Sequence, residues 1–263
     1  MDMKSPARSA ASPGGTQSVA RVVGLLKLLA EHRDPGLRFV DVARLCGLEQ
    51  PTAHRMLKAL EREEMVARDP VTRRYRLGPL VFELGIAAAG DFNLVDVCRP
   101  SLQRLAEATG DTAFLFIRRG HDAVCIDRIQ GHYPIQTPVV IVGSRQPLGV
   151  NAGGLAMLQA LGDEEVAEVV SAVAVRLGAY GEFDELDLRR AVTESRRRGY
   201  AAIGEKAVPG VTAIGLPIRN TYGAPSAALT IAATSNRMTA KRQLEILPAL
   251  QQEVSTVERL LYR

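Results

Sequence analysis

The stretch from Phe39 to Arg62, FVDVARLCGLEQPTAHRMLKALER, limits what this chain can fold into more than any other. It holds two short amphipathic segments hinged at Gly47. Phe39, Val42, Ala43 and Cys46 recur at i, i+3, i+4 and i+7, and Ala53, Met56, Leu57 and Leu60 repeat the pattern, so each segment reads as a helix with one buried stripe. Two helices joined by a few residues with a glycine make a helix-turn-helix. Pro51 suits the first turn of the second helix, where its missing N–H costs nothing, so that helix begins near Gln50. Its outward residues are Gln50, Thr52, His54, Arg55, Lys58 and Arg62. Donors and cations of this kind read base edges and phosphates in a major groove, although a solvated polar face would look the same.

The residues that follow favour DNA. Glu64–Arg68 and Tyr75–Leu77 read as two short strands around the loop Asp69–Arg74, which makes a winged helix-turn-helix. Arg73 and Arg74 sit at the wing tip, within reach of backbone phosphates or a minor groove. Charge is distributed to match. Residues 16–78 carry 12 Lys and Arg against 8 Asp and Glu, whereas residues 79–263 carry 19 against 20.

A chain of 263 residues is long for one domain and natural for two. Residues 1–15 are small and polar and read as a disordered arm, residues 16–78 as the winged helix-turn-helix, residues 79–92 as a linker helix, and residues 93–263 as a second domain. Val19, Val22, Val23, Leu26 and Leu29 mark a helix over Ser18–His32 that closes the first core. Helices are expected at Leu94–Thr109, Leu155–Leu161, Glu164–Ala172, Asp184–Arg198 and Thr239–Tyr262. Strands are expected at Ala113–Ile117, Ala123–Ile129, Ile135–Val142, Ala201–Ile203, Thr212–Ile218 and Ala227–Ala232. Strands and helices interleave without strict βαβ rhythm, so the fold class is α+β, with a mixed sheet flanked by helices.

The odd set Cys46, Cys98 and Cys125 suggests reduced cysteines in a cytoplasmic protein, and no apolar run of membrane-spanning length predicts a membrane partner. Neither a Gly-x-Ser-x-Gly elbow nor a His-Glu-x-x-His motif is present, and His121 and Cys125 straddle a turn, so no catalytic group, metal or cofactor is expected. Gly149-Val150-Asn151-Ala152-Gly153-Gly154 before a helix could cradle a small carboxylate on its backbone N–H groups. Glycines that let a helix pack closely on a sheet would give the same sequence. Glu205-Lys206, ahead of the Pro209-Gly210 turn, could line the same cavity or be exposed loop charges.

Ser18-Val19-Ala20-Arg21, Thr52-Ala53-His54-Arg55-Met56-Leu57, Leu60-Glu61-Arg62-Glu63, Tyr75-Arg76-Leu77-Gly78, Asp127-Arg128-Ile129, Arg197-Arg198-Gly199-Tyr200 and Pro209-Gly210-Val211 together resemble the isocitrate lyase regulator (IclR) family of bacterial transcription factors, from about Gln17 to the end. The resemblance implies a winged helix-turn-helix, a linker helix and a C-terminal effector domain with a GAF-like sheet. It also implies dimers or dimers of dimers on palindromic promoter DNA, responding to aromatic or short oxo acids. DNA contacts would fall to Gln50, Thr52, His54, Arg55, Lys58, Arg73 and Arg74. By position, the effector pocket would comprise Asn151, Gly153, Gly154, Glu205, Thr212, Ala213 and Thr230, with Arg128 a candidate carboxylate clamp. Several positions depart from the family pattern. Arg38 stands where a small N-capping residue is usual, Gln50-Pro51-Thr52 replaces Lys-Ser-Thr, and Val150–Leu155 replaces the usual His-Ala-Thr-Ala-Leu-Gly-Lys loop. Ala213 replaces a frequent cysteine. Two rival functions remain open: a small-molecule enzyme with an N-terminal protein-association module, and an effector-free architectural DNA binder.

Overall fold

The computed structural model describes residues 14–89, 94–136, 140–204 and 208–261. The chain divides into two compact units, Met1–Asp91 and Phe92–Arg263. Of the arm expected at residues 1–15, positions 1–13 lie outside the described residues, and Gly14 and Gly15 open the first helix.

The first unit contains α1 (Gly14–Glu31), α2 (Phe39–Leu45), α3 (Gln50–Arg62), β1 (Val66–Arg68), β2 (Tyr75–Leu77) and α4 (Pro79–Ala89). Its core gathers Leu25 and Leu29 of α1, Val42 of α2, Leu57 and Leu60 of α3, Val66 of β1 and Tyr75 of β2 around Leu37. The buried stripe of α1 is thus rotated from the expected one: Leu25 is buried, while Val19 and Val23 are exposed. Gly47, at φ +61°, takes the left-handed turn between α2 and α3 that a side chain would resist. Strands β1 and β2 pair antiparallel, and Leu37 bridges to Tyr75 on the other side of β2, tying the loop before α2 to the wing. Residues 79–89 of the expected linker form α4, residues 90–92 lie outside the described residues, and Phe82 and Leu84 are exposed.

The second unit has three layers. Six strands run in the order β5-β4-β3-β8-β7-β6, where β3 is Thr112–Arg119, β4 Asp122–Ile129, β5 Arg145–Pro147, β6 Ala201–Gly204, β7 Val211–Arg219 and β8 Pro225–Thr234. The α+β class stands, and within it all five strand pairings are antiparallel. Helices α5 (Leu94–Thr109) and α9 (Ala240–Leu261) cover one face, packing on Leu115, Ile214, Leu229 and Ile231. Helices α6 (Ala152–Gln159), α7 (Asp163–Leu177) and α8 (Glu185–Arg198) cover the other, packing on Phe114, Phe116, Cys125 and Ala228. Alternation along β3 and β8 therefore buries both faces of the central strands, which is why AFLFI is apolar throughout.

The third strand expected at Ile135–Val142 is not found among the described residues. Residues 137–139 lie outside them, and Ile135, Ile141 and Val142 are exposed loop residues. The sheet edge is β5 instead, where Arg145 Nε donates to Asp122 on β4 at 2.7 Å. Helix α6 starts three residues earlier than expected because the Asn151 side chain accepts from the Gly154 N–H at 2.7 Å, a cap that lets the chain turn helical at Ala152. Glycine 199, at φ +80°, closes α8 as expected. All three cysteines are free thiols, and burial, aided by Asp127, pushes Cys98 up to about 12. No helix among the described residues is long and apolar enough to cross a membrane.

Helices α5 and α9 are tied by one ion pair, Arg104 Nε and Nη2 donating to Glu253 at 2.8 and 2.6 Å. Burial alone would raise the Glu253 carboxyl, but Arg104 and Ser101 outweigh it and hold it below the ordinary glutamate range. A carboxylate held low in the folded state adds stability above its unfolded pKa and loses it as pH falls through the folded value. Half of Arg104 is exposed, which keeps the contribution modest. Replacing Arg104 with Met should cost about 1–2 kcal/mol at neutral pH. The gap from the parent should narrow as Glu253 protonates at acid pH, and urea unfolding at both pH values reads both effects.

Candidate functional site

The outward face of α3 follows from its buried one. With Ala53, Leu57 and Leu60 committed to the core, Gln50, His54, Arg55, Lys58 and Arg62 are exposed and Thr52 half-buried. Three of these groups have partners on the protein itself. Lys58 Nζ donates to Glu61 at 3.0 Å, Arg62 Nε donates to Glu63 at 3.3 Å, and the His54 ring meets the edge of Phe39 with centroids 6.0 Å apart. Arg55 has no hydrogen bond or ion pair among the described residues. The departures seen at the helix starts have structural counterparts, since neither Arg38 before α2 nor Glu49 before α3 caps through its side chain.

The wing tip is built by Asp69, whose Oδ1 accepts from the N–H groups of Val71 at 3.0 Å and Thr72 at 2.7 Å. Those Thr72 contacts hold the Asp69 carboxyl below its ordinary range. Arg73 occupies the left-handed region at φ +59° and is exposed. Arg74, expected with Arg73 to reach backbone phosphates or a minor groove, is half-buried, and its Nη1 donates to the Gly36 carbonyl at 2.7 Å. That bond braces wing to loop.

The second unit holds a partly open apolar cavity, lined as small-ligand sites are by apolar side chains with a few polar groups among them. It lies between the N-terminus of α6 and the β3, β8 and β7 side of the sheet. Phe114, Phe116, Val150, Ile203, Val211 and Ala232 supply apolar wall, and Gln146, Asn151 and Thr230 bring polar side chains. Of the expected pocket residues, Asn151, Ala213 and Thr230 line the cavity. The others do not. Gly153 and Gly154 lie behind the wall, as the packing alternative requires: a Cβ on Gly153 would overlap the Phe116 ring, and one on Gly154 would come within 2.9 Å of the Gly149 nitrogen. Thr212 points to the opposite face, where its hydroxyl meets Ser235 at 2.8 Å, because neighbours on a strand alternate sides. Arg128 is not among the lining residues, and its Nη1 donates to the Val140 carbonyl at 3.0 Å, satisfying a backbone group that no strand pairs. Glu205 lies outside the described residues, as does Lys206.

Sequence reasoning missed Phe114, Phe116 and Gln146. An aromatic residue on a buried strand reads the same whether it meets a helix or an empty space, so periodicity carried no signal for the two phenylalanines. Gln146 was hidden by placing the third strand about ten residues too early; a polar residue next to Pro147-Leu148 and five before the capping Asn151 was the available clue. His121 and Cys125 do not converge: the His121 ring faces Glu168 at 3.6 Å, while Cys125 is buried in the core.

Comparison with known proteins matches this architecture unit by unit. Residues 18–70 match the IclR helix-turn-helix domain, and residues 86–259 match the bacterial transcriptional regulator IclR C-terminal domain. The chain is 26% identical over 246 residues to the HTH-type transcriptional regulator XynR of Escherichia coli strain K12, covering 93% of this chain and 97% of that protein. Among solved structures, an IclR transcriptional regulator from Alicyclobacillus acidocaldarius superposes with a TM-score of 0.77 at 26% identity, covering 92% of this chain and 98% of that one. An IclR homologue from Microbacterium hydrocarbonoxydans, solved in complex with 4-hydroxybenzoate, superposes with a TM-score of 0.74 at 24% identity over 92% of this chain and 98% of that one.

The fit of Phe116 over Gly153 generates a test of the cavity wall. Gly153→Ala should destabilise the protein by about 1–3 kcal/mol, because the ring and the α6 backbone have no room to separate. Thermal unfolding of the two proteins measures it, and an unchanged melting temperature would show that α6 sits farther from the sheet.

Proposed function

This chain belongs to the IclR family of bacterial transcriptional regulators, and from that premise we propose that it binds palindromic promoter DNA as a homodimer or a dimer of dimers and responds to a small aromatic acid. It is a DNA-binding regulator with a helix-turn-helix and a C-terminal effector domain, as its relatives are. The enzyme alternative is not carried forward, because the similar proteins are regulators by name.

The observation that carries the DNA reading is the solvent face of α3, where an unpaired Arg55 stands beside Gln50, His54 and Lys58 on a helix whose other side is core. In the proposed complex α3 enters the major groove. Arg55 and Gln50 read base edges, Thr52, His54 and Lys58 grip phosphate or flanking bases, and Arg73 reaches the backbone from the wing. Arg74 contributes by holding the wing in place. Two copies related by a twofold axis would require two half-sites separated by about one or a few helical turns. Such a protein works in the cytoplasm, where promoter DNA is.

The effector reading rests on the cavity. Walls of Phe, Val and Ile with few polar groups suit an aromatic ring better than a two- or three-carbon oxo acid, whose polar atoms would find few partners there. The relative from Microbacterium hydrocarbonoxydans was crystallised with 4-hydroxybenzoate, an aromatic acid. Control of a catabolic operon follows if that acid, or one like it, is the substrate of the encoded pathway. Effector binding would change DNA affinity through a difference in effector affinity between two states of the dimer.

Mobility shifts against the gene's own upstream region test the first half. Arg55→Ala should weaken specific binding by about 1–3 kcal/mol and leave binding to bulk competitor DNA nearly unchanged. Equal affinity of the variant for its operator would remove Arg55 from the reading set. A thermal-shift series with aromatic and short oxo acids tests the second half: an aromatic acid should raise the melting temperature, because only what the folded domain binds stabilises it.

A further inference from the structure

The polar atoms around the effector cavity are not equally available. Asn151 lines it, and each end of its carboxamide is already fixed by one bond on the protein: Oδ1 accepts from the Gly154 N–H at 2.7 Å as the cap of α6, and Nδ2 donates to Gln146 Oε1 at 2.9 Å. The second bond has a consequence for Gln146. Because Oε1 is held by Asn151, the amide has one orientation, and its Nε2 carries two N–H donors with no partner among the described residues. Gln146 is half-buried on the short edge strand β5, where Arg145 before it is fastened to Asp122 and Pro147 after it is buried. Its backbone and one end of its side chain are thus fixed, and only the donor end is free.

Thr230 supplies the other available side chain. It is 1% exposed and lines the cavity. Thr230 lies on β8, three strand spacings from β5 in the sheet order and about four residues along the strands from the row of Gln146, or about 19 Å on a flat sheet and less across a curled one. Phe114 and Phe116 of β3 lie between them. The available polar groups therefore flank an aromatic strip at its two ends.

We propose that Gln146, positioned by Asn151, is the specificity-determining donor of the cavity, holding an acceptor oxygen at one end of an aromatic effector while Thr230 meets a polar group at the other. Asn151 is then a positioning residue and makes no ligand contact of its own. The chemical class is an aromatic ring with oxygen substituents at opposite ends. This inference deepens the effector reading above and rests on it.

Titration calorimetry of the full-length protein with 4-hydroxybenzoate, and with benzoate as the single-ended control, tests the proposal. Gln146→Leu should weaken 4-hydroxybenzoate binding about tenfold, the loss of one hydrogen bond to a charged or polar acceptor. Asn151→Ser keeps a good helix cap and removes only the amide that holds Gln146. It should weaken binding about threefold in the parent and leave the Gln146→Leu background unchanged, because it acts through the residue already lost. A merely structural role for Asn151 would lower the affinity equally in both backgrounds and overturn the positioning claim. Full affinity in Gln146→Leu, with the parent binding 4-hydroxybenzoate, would overturn the Gln146 assignment and leave the effector reading standing. Should the parent bind neither acid, the aromatic-acid reading and this inference fall together. Gln146→Glu keeps the size and replaces the donors with acceptors; it should abolish binding, and it serves if the leucine variant does not fold.

Discussion

The second unit is assembled around a helix that has almost no surface of its own. Every residue from Ala152 to Leu158 of α6 is buried, and α6 packs against β3, β4, β6, β7 and β8 as well as α7 and α8. A helix buried to this extent cannot leave the N–H groups of its first turn to water, so its start requires a side-chain acceptor. Asn151 provides one. The same burial accounts for the glycines, since Gly153 and Gly154 bring the α6 backbone against Phe116 and the Leu148–Gly149 chain at distances that a methyl group would not permit. The cavity is the space that remains beside this tight contact, where β3, β8 and β7 curve away from the helix start.

The first unit solves a smaller problem with the same physics. Its helices are short, α2 only seven residues, and isolated helices of that length are marginal in water. They hold their form by pooling one stripe each into the core around Leu25, Leu57 and Tyr75. Because α3 surrenders only one stripe, the remaining face is free to carry charge without cost to folding. The wing is tied back to this core twice, by the Leu37–Tyr75 bridge and by Arg74 on the Gly36 carbonyl. Arg73, one residue earlier, is left unencumbered at the tip. Two adjacent arginines of equal charge thus do different work, and the difference lies in which carbonyl is within reach.

Periodicity revealed most of this organisation. The stripes of α2 and α3, the wing strands, the doubly buried β3 and the glycine stop of α8 all follow from spacing and turn chemistry, which act over a few residues. What escaped depends on pairing between distant segments. Val19 and Val23 fit a helical stripe as well as Leu25 does, and only the docking of α1 on α2 and β2 decides which side is inside. The run Ile135–Val142 has strand-forming residues, but none of its described residues is in a strand, while the less apolar Arg145–Pro147 pairs with Asp122–Val124. Pocket residues were half legible for a related reason. Thr212 and Ala213 are neighbours in the sequence and on opposite faces of β7, so naming both guaranteed one error. Arg128 has the right chemistry for a carboxylate, and an unpaired carbonyl at Val140 takes it first.

The balance of apolar wall and scarce donors also decides how sharply such a cavity can choose. An apolar wall separates ligands that differ by a methylene by only about 1–3 kcal/mol, because a small void or a slight overlap is all it can register. A hydrogen-bonding group discriminates in the opposite manner. If a ligand fills the space and offers no acceptor, the donors of Gln146 lose water and gain nothing, at a cost of about 1–3 kcal/mol for each group left unpaired. Rejection of the wrong ligand is then stronger than attraction to the right one. That asymmetry requires a donor that cannot turn away to find another partner, and a free glutamine, with three rotatable bonds, would turn. Asn151 removes this escape by holding Oε1, so the residue that starts α6 also sets the selectivity of the space beside it.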